Sequence, residues 1–210
     1  QIDIGLVRNY PYKSLAAHCD SEYRHFAKVD FTFGEAMSVS KSWNILAEKS
    51  TSYIMIMGND DLIYRTPDWD SRLIKELAVR YKDDPYWVSW FDDGINGEKH
   101  CAFPIISREW YETVGHFAPG VFHFGYNDTW VFDVAKRVNR THYIKDILVE
   151  HMHFTKGNSE MDDTYAHNRT GPRGNLYQKD KLIYEATSPQ RKLEAEKIRE
   201  MIKTPEDYTV

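Results

Sequence analysis

The chain has little cysteine, no long apolar run and no excess of positive charge. Its 210 residues include two cysteines, Cys19 and Cys101, which lie far apart and in no Cys-x-x-Cys pattern. This spacing predicts neither a disulfide framework nor a thiolate zinc site, and we expect ordinary thiols in a reducing, cytoplasmic compartment. No stretch of about 18 consecutive apolar residues occurs, so no membrane span is predicted. The N-terminal apolar run is too short to predict a signal peptide.

The charge balance is slightly acidic. The chain carries 27 Lys and Arg against 32 Asp and Glu, for a formal net charge of -5 and an isoelectric point near 6.0. This balance excludes an overall electrostatic attraction to nucleic acid or anionic lipid. A local basic cluster between residues 169 and 181 keeps nucleic acid as a minor alternative partner. Its members are Arg169, Arg173, Lys179 and Lys181.

Apolar residues are frequent enough for one substantial core. They make up 41% of the chain, and aromatic residues make up 14%. A chain of this length buries one large core or two small ones. We therefore expect a single domain.

Short apolar runs alternate with helical patterns along the first half of the chain. The patterns predict strands at 2–7, 27–33, 53–57 and 86–91, and helices at 38–50 and 68–83. Strands that alternate with helices are typical of an α/β fold with a mostly parallel sheet.

The second half is less regular. The predicted elements are a strand at 102–107, a short helix ending at Gly115, a helix at 128–139, a strand or strand pair at 142–154, and closing helices at about 176–186 and 189–203. Residues 155–175 are polar and contain three glycines and one proline, which predicts a mobile loop.

Two adjacent carboxylates follow the apolar strand at 53–57. Asp60 and Asp61 stand in the sequence "YIMIMGNDDLIY". Ligands gather at the carboxyl ends of strands in a parallel sheet, so this placement favours function over an ordinary surface turn. The two charges repel one another unless a cation lies between them, and a divalent ion with oxygen ligands is the usual solution.

A second candidate lies in "EHMHF". His151 and His153 alternate along a predicted strand, so both side chains point to one face and can reach one ion. Taken alone, the pattern slightly favours histidines that only make structural hydrogen bonds near the edge of the core. Asp162 and Asp163 follow in the next loop, and together the four residues allow an alternative, a metal-dependent hydrolase.

A third candidate is Asp128 in "FGYNDTWVF", directly before a predicted helix. Its structural role there is an N-cap. A carboxylate in this position can also accept a proton from an attacking hydroxyl. The two roles can coexist.

In chain order the motifs are "NDD" after an apolar strand, "DWD", "YND" before a helix, and "HMH". This order resembles family 2 and related GT-A glycosyltransferases over about residues 2–165. The resemblance implies a GT-A-like three-layer sandwich at 1–175, a mostly parallel central sheet flanked by helices, with 176–210 as a C-terminal helical extension packed on the same domain. It implies a nucleotide-diphosphate sugar as donor and Mn²⁺ or Mg²⁺ as cofactor. The acceptor is then a hydroxyl of a glycan, a lipid-linked glycan or modified nucleic acid.

The resemblance also implies roles for single residues. Asp60 and Asp61 would hold the metal, with His151 or, by preference, His153 as a further ligand. Asp128 would be the general base of an inverting transfer. The residues placed near the nucleotide sugar are Arg8, Asn9, Gly34, Asn44, Asn59 and Asp60, and further expectations are Trp110 at a sugar subsite and Lys156 or Arg173 at the leaving diphosphate.

Three departures from the family pattern set limits on the resemblance. The family's first strand and its helix have no counterpart, which predicts a short or truncated domain. Gly58 and Asn59 replace acidic positions, and Asn127 replaces a carboxylate. A catalytically silent domain that binds carbohydrate or nucleotide sugar is therefore an open alternative. The choice between Asp60 and Asp61 as the residue that touches the metal is also open.

Overall fold

The computed structural model describes residues 3–7, 28–32, 37–161, 163–171 and 174–202. The strands are β1 (Asp3–Val7), β2 (Lys28–Thr32), β3 (Ile54–Ile56), β4 (Leu62–Tyr64), β5 (Val88–Asp92), β6 (Ile105–Ser107) and β7 (Thr141–His151). The α-helices are α1 (Val39–Lys49), α2 (Trp69–Arg80), α3 (Arg108–Val114), α4 (Asn127–Arg137), α5 (Asp163–Thr170), α6 (Leu176–Ala186) and α7 (Ser188–Met201).

The main sheet is mixed, with strand order β3-β6-β5-β7-β4. Among the described strands of this sheet, β5 and β7 pair in parallel, whereas the pairs β3–β6, β5–β6 and β4–β7 are antiparallel. The prediction of a mostly parallel sheet is therefore wrong. A parallel neighbour needs a crossover of about a dozen residues or more, usually a helix, whereas β4 and β6 are short strands that follow β3 and β5 after loops without an α-helix. Strands β1 and β2 form a separate parallel pair.

β7 is one continuous strand that joins two parts of the sheet. Its first half runs parallel to β5, and a register shift follows the Phe91–Ile144 pair. Beyond the shift, β7 pairs with β4 in the register Leu62 to His151. A β-bulge bends a strand and re-aims its side chains. The shift therefore lets the end of β7, with His151, lie beside the start of β4.

Helices cover the sheet on both faces. Alternation along β5 sends Val88 and Trp90 to one face and Phe91 to the other, where Trp87, directly before the strand, also packs. The first face packs against α3 and α4 through Trp110, Trp130 and Val134, and α7 packs on these two helices with Ala195 and Ile198 in the same core. The second face packs against α2 through Leu73 and Leu77. The result is three layers of helix, sheet and helix.

The segment expected to be a loop at 155–175 contains helix α5 and a short 3-10 turn at Phe154–Lys156. The expectation of an irregular loop is wrong for these residues. The described side chains of α5 are exposed or half-buried. A helix that buries so little shows no apolar stripe, and such a stripe is the main sign of a helix in a sequence.

The closing helices are tied to the rest of the fold by buried charges. Asp180 on α6 is fully buried and accepts hydrogen bonds from the backbone N–H groups of His123, Phe124 and Gly125. Arg191 on α7 donates from Nε to Asp133 on α4 at 2.6 Å. These contacts hold α6 and α7 against α4 and against the segment that leads into it. Among the described residues, no helix is both long and apolar enough to cross a membrane.

Candidate functional site

The loop between β3 and β4 is held in place from two sides. The backbone N–H of Met57 donates to the carbonyl of Pro104 at 2.8 Å, and Met57 is fully buried. On the other side, Nε1 of Trp43 on α1 donates to the carbonyl of Gly58 at 3.0 Å. After Gly58 the chain becomes exposed through Asn59 and Asp60 and then enters β4. Asp61 therefore lies at a fixed point, at the start of β4.

Strand pairing brings Asp61 to His151. The backbone N–H of Met152 donates to the carbonyl of Asp61 at 2.8 Å, which continues the β4–β7 ladder by one step. The side chains meet as well, with Nε2 of His151 3.1 Å from Oδ2 of Asp61. The side chain of His151 is 14% exposed and that of Asp61 is 26% exposed. The pair is partly shielded but can be reached from solvent.

Two polar atoms of this pair are buried without a partner. Within the described part of the chain, Oδ1 of Asp61 and Nδ1 of His151 make no hydrogen bond. Leaving a buried donor or acceptor unpaired costs about 1–3 kcal/mol. A water molecule or a polar group of a bound ligand can satisfy these two atoms.

The geometry of the pair fits a divalent ion. Two adjacent ligands at about 2.1 Å from an octahedral ion lie about 3.0 Å from one another. The Nε2–Oδ2 distance of 3.1 Å matches this spacing as well as it matches a hydrogen bond. Carboxylates suit Mg²⁺ and Mn²⁺, and such ions in phosphate-binding sites commonly take only one or two protein carboxylates, with substrate phosphates completing the shell. In the described ranges, no three His, Cys, Asp or Glu side chains are arranged around one ion position.

His153 lies next to this pair but is engaged elsewhere. Its ring is 5.1 Å from that of His151, and its Nδ1 is 2.7 Å from Oγ1 of Thr155. Burial, and then the neighbouring His151, lower the pKa of His153, which favours its neutral form. His151 rather than His153 thus makes the direct contact with Asp61. Asp60 is exposed.

Asp128 forms a second histidine–carboxylate pair. It lies in the first turn of α4, and the N-cap is Tyr126, so the expectation of an N-cap role is wrong. Its Oδ2 is 2.8 Å from Nε2 of His100, and its Oδ1 accepts from the backbone N–H of Thr129 at 2.7 Å. The hydrogen bond to Asp128 raises the pKa of His100 against the opposing effect of burial. Tyr126 has a φ of 65°, a left-handed conformation that is strained for a tyrosine.

Asp93 connects the two pairs. Its carbonyl accepts from the backbone N–H of His151 at 3.1 Å. Its buried carboxylate accepts from the backbone N–H groups of Ile95, Asn96 and Gly97, which forms the turn before His100. One residue therefore fixes both the end of β7 and the start of the segment that carries His100.

Asn44 uses its side-chain amide within the fold. Its Nδ2 donates to the carbonyl of Ala118 at 2.8 Å, and its Oδ1 accepts from the backbone N–H groups of Phe117 and Ala118. These bonds hold α1 against the 117–118 segment. Trp110, expected at a sugar subsite, is 2% exposed and lies in the core. Residues Arg8, Asn9, Gly34, Asp162 and Arg173 lie outside the described residues.

Sequence reasoning missed His100 and Asp93. No pattern in the sequence marks His100, because its partner Asp128 is 28 positions away. Asp93 could have been found: "VSWFDDG" is an apolar strand followed by two carboxylates, as is "YIMIMGNDD". An apolar strand followed by two carboxylates predicts a site at Asp93 as readily as at Asp60 and Asp61.

Comparison with known proteins supports the type of fold. No protein-family model matches the chain, and no curated protein sequence matches it. Among solved structures, the chain is similar to a mannosyltransferase from Pyrobaculum calidifontis in complex with GDP-Man and Mn²⁺. The alignment covers 97% of this chain and 72% of that chain, with a TM-score of 0.53 and 13% sequence identity. The likeness shows a glycosyltransferase-like α/β fold.

Proposed function

We propose that this protein is a metal-dependent glycosyltransferase of the GT-A type, which moves a sugar from a nucleotide-diphosphate donor to an acceptor hydroxyl with inversion. The observation that carries the proposal is the Asp61–His151 pair at the joint of β4 and β7, in which Nε2 and Oδ2 lie 3.1 Å apart, the spacing of two adjacent ligands of one divalent ion. Support comes from a fold similar to that of a mannosyltransferase in complex with GDP-Man and Mn²⁺.

Asp61 and His151 would hold the divalent ion, Mn²⁺ or Mg²⁺, in this proposal. Bound there, the ion supplies positive charge that offsets the negative charge of the leaving nucleoside diphosphate. Neutral His151 donates a nitrogen lone pair and Asp61 a carboxylate oxygen. Asp60 is exposed in the same loop.

Asp128 is the general base in this proposal. It takes the proton of the acceptor hydroxyl as the acceptor oxygen bonds to the anomeric carbon. The bond from that carbon to the diphosphate oxygen breaks, and the diphosphate leaves with the electron pair. Two observations support the assignment: both carboxylate oxygens of Asp128 are oriented by hydrogen bonds, and its side chain keeps 25% of its surface exposed to an incoming acceptor.

A thermal-shift screen tests the proposal directly. GDP-mannose, other GDP-sugars and UDP-sugars are added with Mn²⁺, with Mg²⁺ or with a chelator. A ligand at about 100 times its Kd stabilises the folded state by about 2.7 kcal/mol, which for a domain of this size raises Tm by about 5 °C or more. We expect one nucleotide class to give such a shift only with the metal. No shift with any nucleotide sugar in either metal would reject the proposal.

A further inference from the structure

We infer that His100 is a positioning residue for the proposed general base: it holds the Asp128 carboxylate in the orientation that accepts the proton of the acceptor hydroxyl. The inference rests on the proposed function and adds a residue that the family resemblance does not supply. The juxtaposition that carries it is the 2.8 Å contact between Nε2 of His100 and Oδ2 of Asp128.

The carboxylate of Asp128 is fixed at both oxygens. On one side, Oδ1 accepts from the backbone N–H of Thr129 at 2.7 Å and from its Oγ1 at 3.2 Å. On the other side, Oδ2 meets Nε2 of His100. Thr129 belongs to the same helix as Asp128 and cannot by itself set the carboxylate relative to the sheet. The contact from His100 does so, because His100 belongs to the segment that follows β5.

His100 is itself held by neighbours on two elements. Its ring packs edge-to-face on Phe132 of α4, with centroids 5.9 Å apart. The turn before it, at Gly97–Lys99, is built on the buried carboxylate of Asp93. The His100 side chain is 32% exposed. The backbone of His100 is held by the turn before it, and its ring is held by Phe132. His100 can therefore restrain the Asp128 carboxylate, which a freely rotating surface histidine cannot do.

The charges around His100 decide how the pair responds to pH. Asp128 and Lys136 face it from α4, and Asp93 faces it from the end of β5. When His100 is protonated, its charge stabilises the Asp128 carboxylate and makes it a weaker base. When His100 is neutral with a proton on Nε2, it still donates a hydrogen bond to Asp128 but no longer lowers the basicity of the carboxylate. The rate of transfer therefore rises as His100 loses its proton.

Two substitutions at His100 separate positioning from a general structural role. Gln can donate one neutral hydrogen bond to Asp128, and Ala can donate none. The matched control is His142→Ala, because Nε2 of His142 lies 2.8 Å from Oε1 of Glu76 in a pair of the same length, nine residues before His151 on β7. The assay measures nucleoside diphosphate release from the nucleotide sugar that gives the metal-dependent thermal shift, with water or a simple methyl glycoside as acceptor.

We expect His100→Ala to lower kcat by about 10- to 100-fold and to leave the Kd of the donor unchanged. The loss is part of the roughly 10²–10⁴-fold in rate that a positioned acid or base contributes. His100→Gln should recover most of kcat, and its rate should lose the dependence on pH that wild type shows near neutrality. His142→Ala should keep the wild-type kcat and pH profile.

Several outcomes overturn the inference. A kcat and pH profile for His100→Ala equal to those of His142→Ala would remove His100 from the reaction. An effect on donor Kd alone would assign it to binding instead. If the wild-type protein binds no nucleotide sugar in the screen, the proposed function is overturned, and the inference with it. If the wild type binds the sugar and releases nucleoside diphosphate but the His100 variants show no effect, the inference alone is overturned.

Discussion

His151 and Asp61 are 90 positions apart in the chain, yet Nε2 of the first lies 3.1 Å from Oδ2 of the second. The contact exists because, beyond the register shift in β7, the last residue of this strand lies beside the start of β4. It leads to the first prediction. Asp61→Asn keeps the shape of the side chain but removes the charge that a divalent ion needs. We expect it to abolish the Mn²⁺-dependent part of the thermal shift with nucleotide sugar.

Asp60→Asn is the matched control for this loop. Asp60 is exposed and Asp61 is half-buried, although they are adjacent. If Asp61 is the ligand, Asp60→Asn should weaken donor binding less than Asp61→Asn does, as measured by titration calorimetry in the presence of Mn²⁺. Equal losses of affinity would mean that both carboxylates bind the ion, and a larger loss at Asp60 would contradict the assignment.

The second prediction concerns Asp128. Asp128→Asn removes the proton acceptor but keeps an oxygen for the hydrogen bond from Thr129. We expect release of nucleoside diphosphate to fall by about 10²-fold or more, while the thermal shift by donor and Mn²⁺ is retained. The comparison of turnover with binding in one variant separates a base from a structural residue. Turnover at the wild-type rate would refute the role of base.

Much of the fold could be predicted from the sequence. Short apolar runs mark β5 and the strand before Gly58, and helical spacing marks α1 and α2. Strand direction was predicted wrongly, because alternation of strands and helices reveals that elements exist but not which strands become neighbours. Short excursions such as β4 and β6 pair antiparallel without a helical crossover, and a run of three residues shows no direction in a sequence.

The candidate site could be predicted in part. Carboxylates after apolar strands and the His-x-His pattern each have a local signature, and three of these residues, Asp60, Asp61 and His151, do lie around one joint of the sheet. The choice between His151 and His153 depends on the register in which β7 pairs with β4, and the pairing of Asp128 with His100 depends on how α4 packs. Neither depends on local sequence, so neither could be predicted.

The third prediction is a titration of His100. The hydrogen bond that His100 donates to Asp128 raises the pKa of His100, whereas burial lowers the pKa of His142 despite a similar contact with Glu76. Imidazole resonances followed by NMR should show His100 titrating above the ordinary value of about 6.5 and His142 below it. In Asp128→Asn the pKa of His100 should fall and that of His142 should not move. An unchanged His100 titration would show that the two side chains do not interact in solution.

The fourth prediction follows from the sign of that shift. A histidine whose pKa is raised in the folded state adds stability at pH values below its unfolded pKa, and this stability is lost as pH rises through the folded pKa. Urea unfolding should therefore show the largest difference between wild type and Asp128→Asn below about pH 6.5. The difference should shrink toward alkaline pH. A difference that grew with pH would contradict the direction of the shift.

The last prediction concerns the buried carboxylate of Asp180. It accepts from three consecutive backbone N–H groups, of His123, Phe124 and Gly125, at 2.7 to 2.9 Å, and from Nδ1 of His123 at 2.9 Å. Asp180→Ala leaves these donors without an acceptor, each at a cost of about 1–3 kcal/mol, so we expect the free energy of unfolding to fall by at least about 3 kcal/mol. Folded domains are stable by only about 5–15 kcal/mol.

Lys181→Ala is the control for Asp180, because it changes the next residue of α6 on an exposed face. Nζ of Lys181 lies 3.9 Å from Glu185, a surface pair whose loss should change the unfolding free energy by less than about 0.5 kcal/mol. The segment at 123–125 leads directly to Asp128, so Asp180→Ala should also lower turnover more than it lowers donor affinity. An unfolding midpoint in urea equal for the two variants would mean that the carboxylate does not hold this segment.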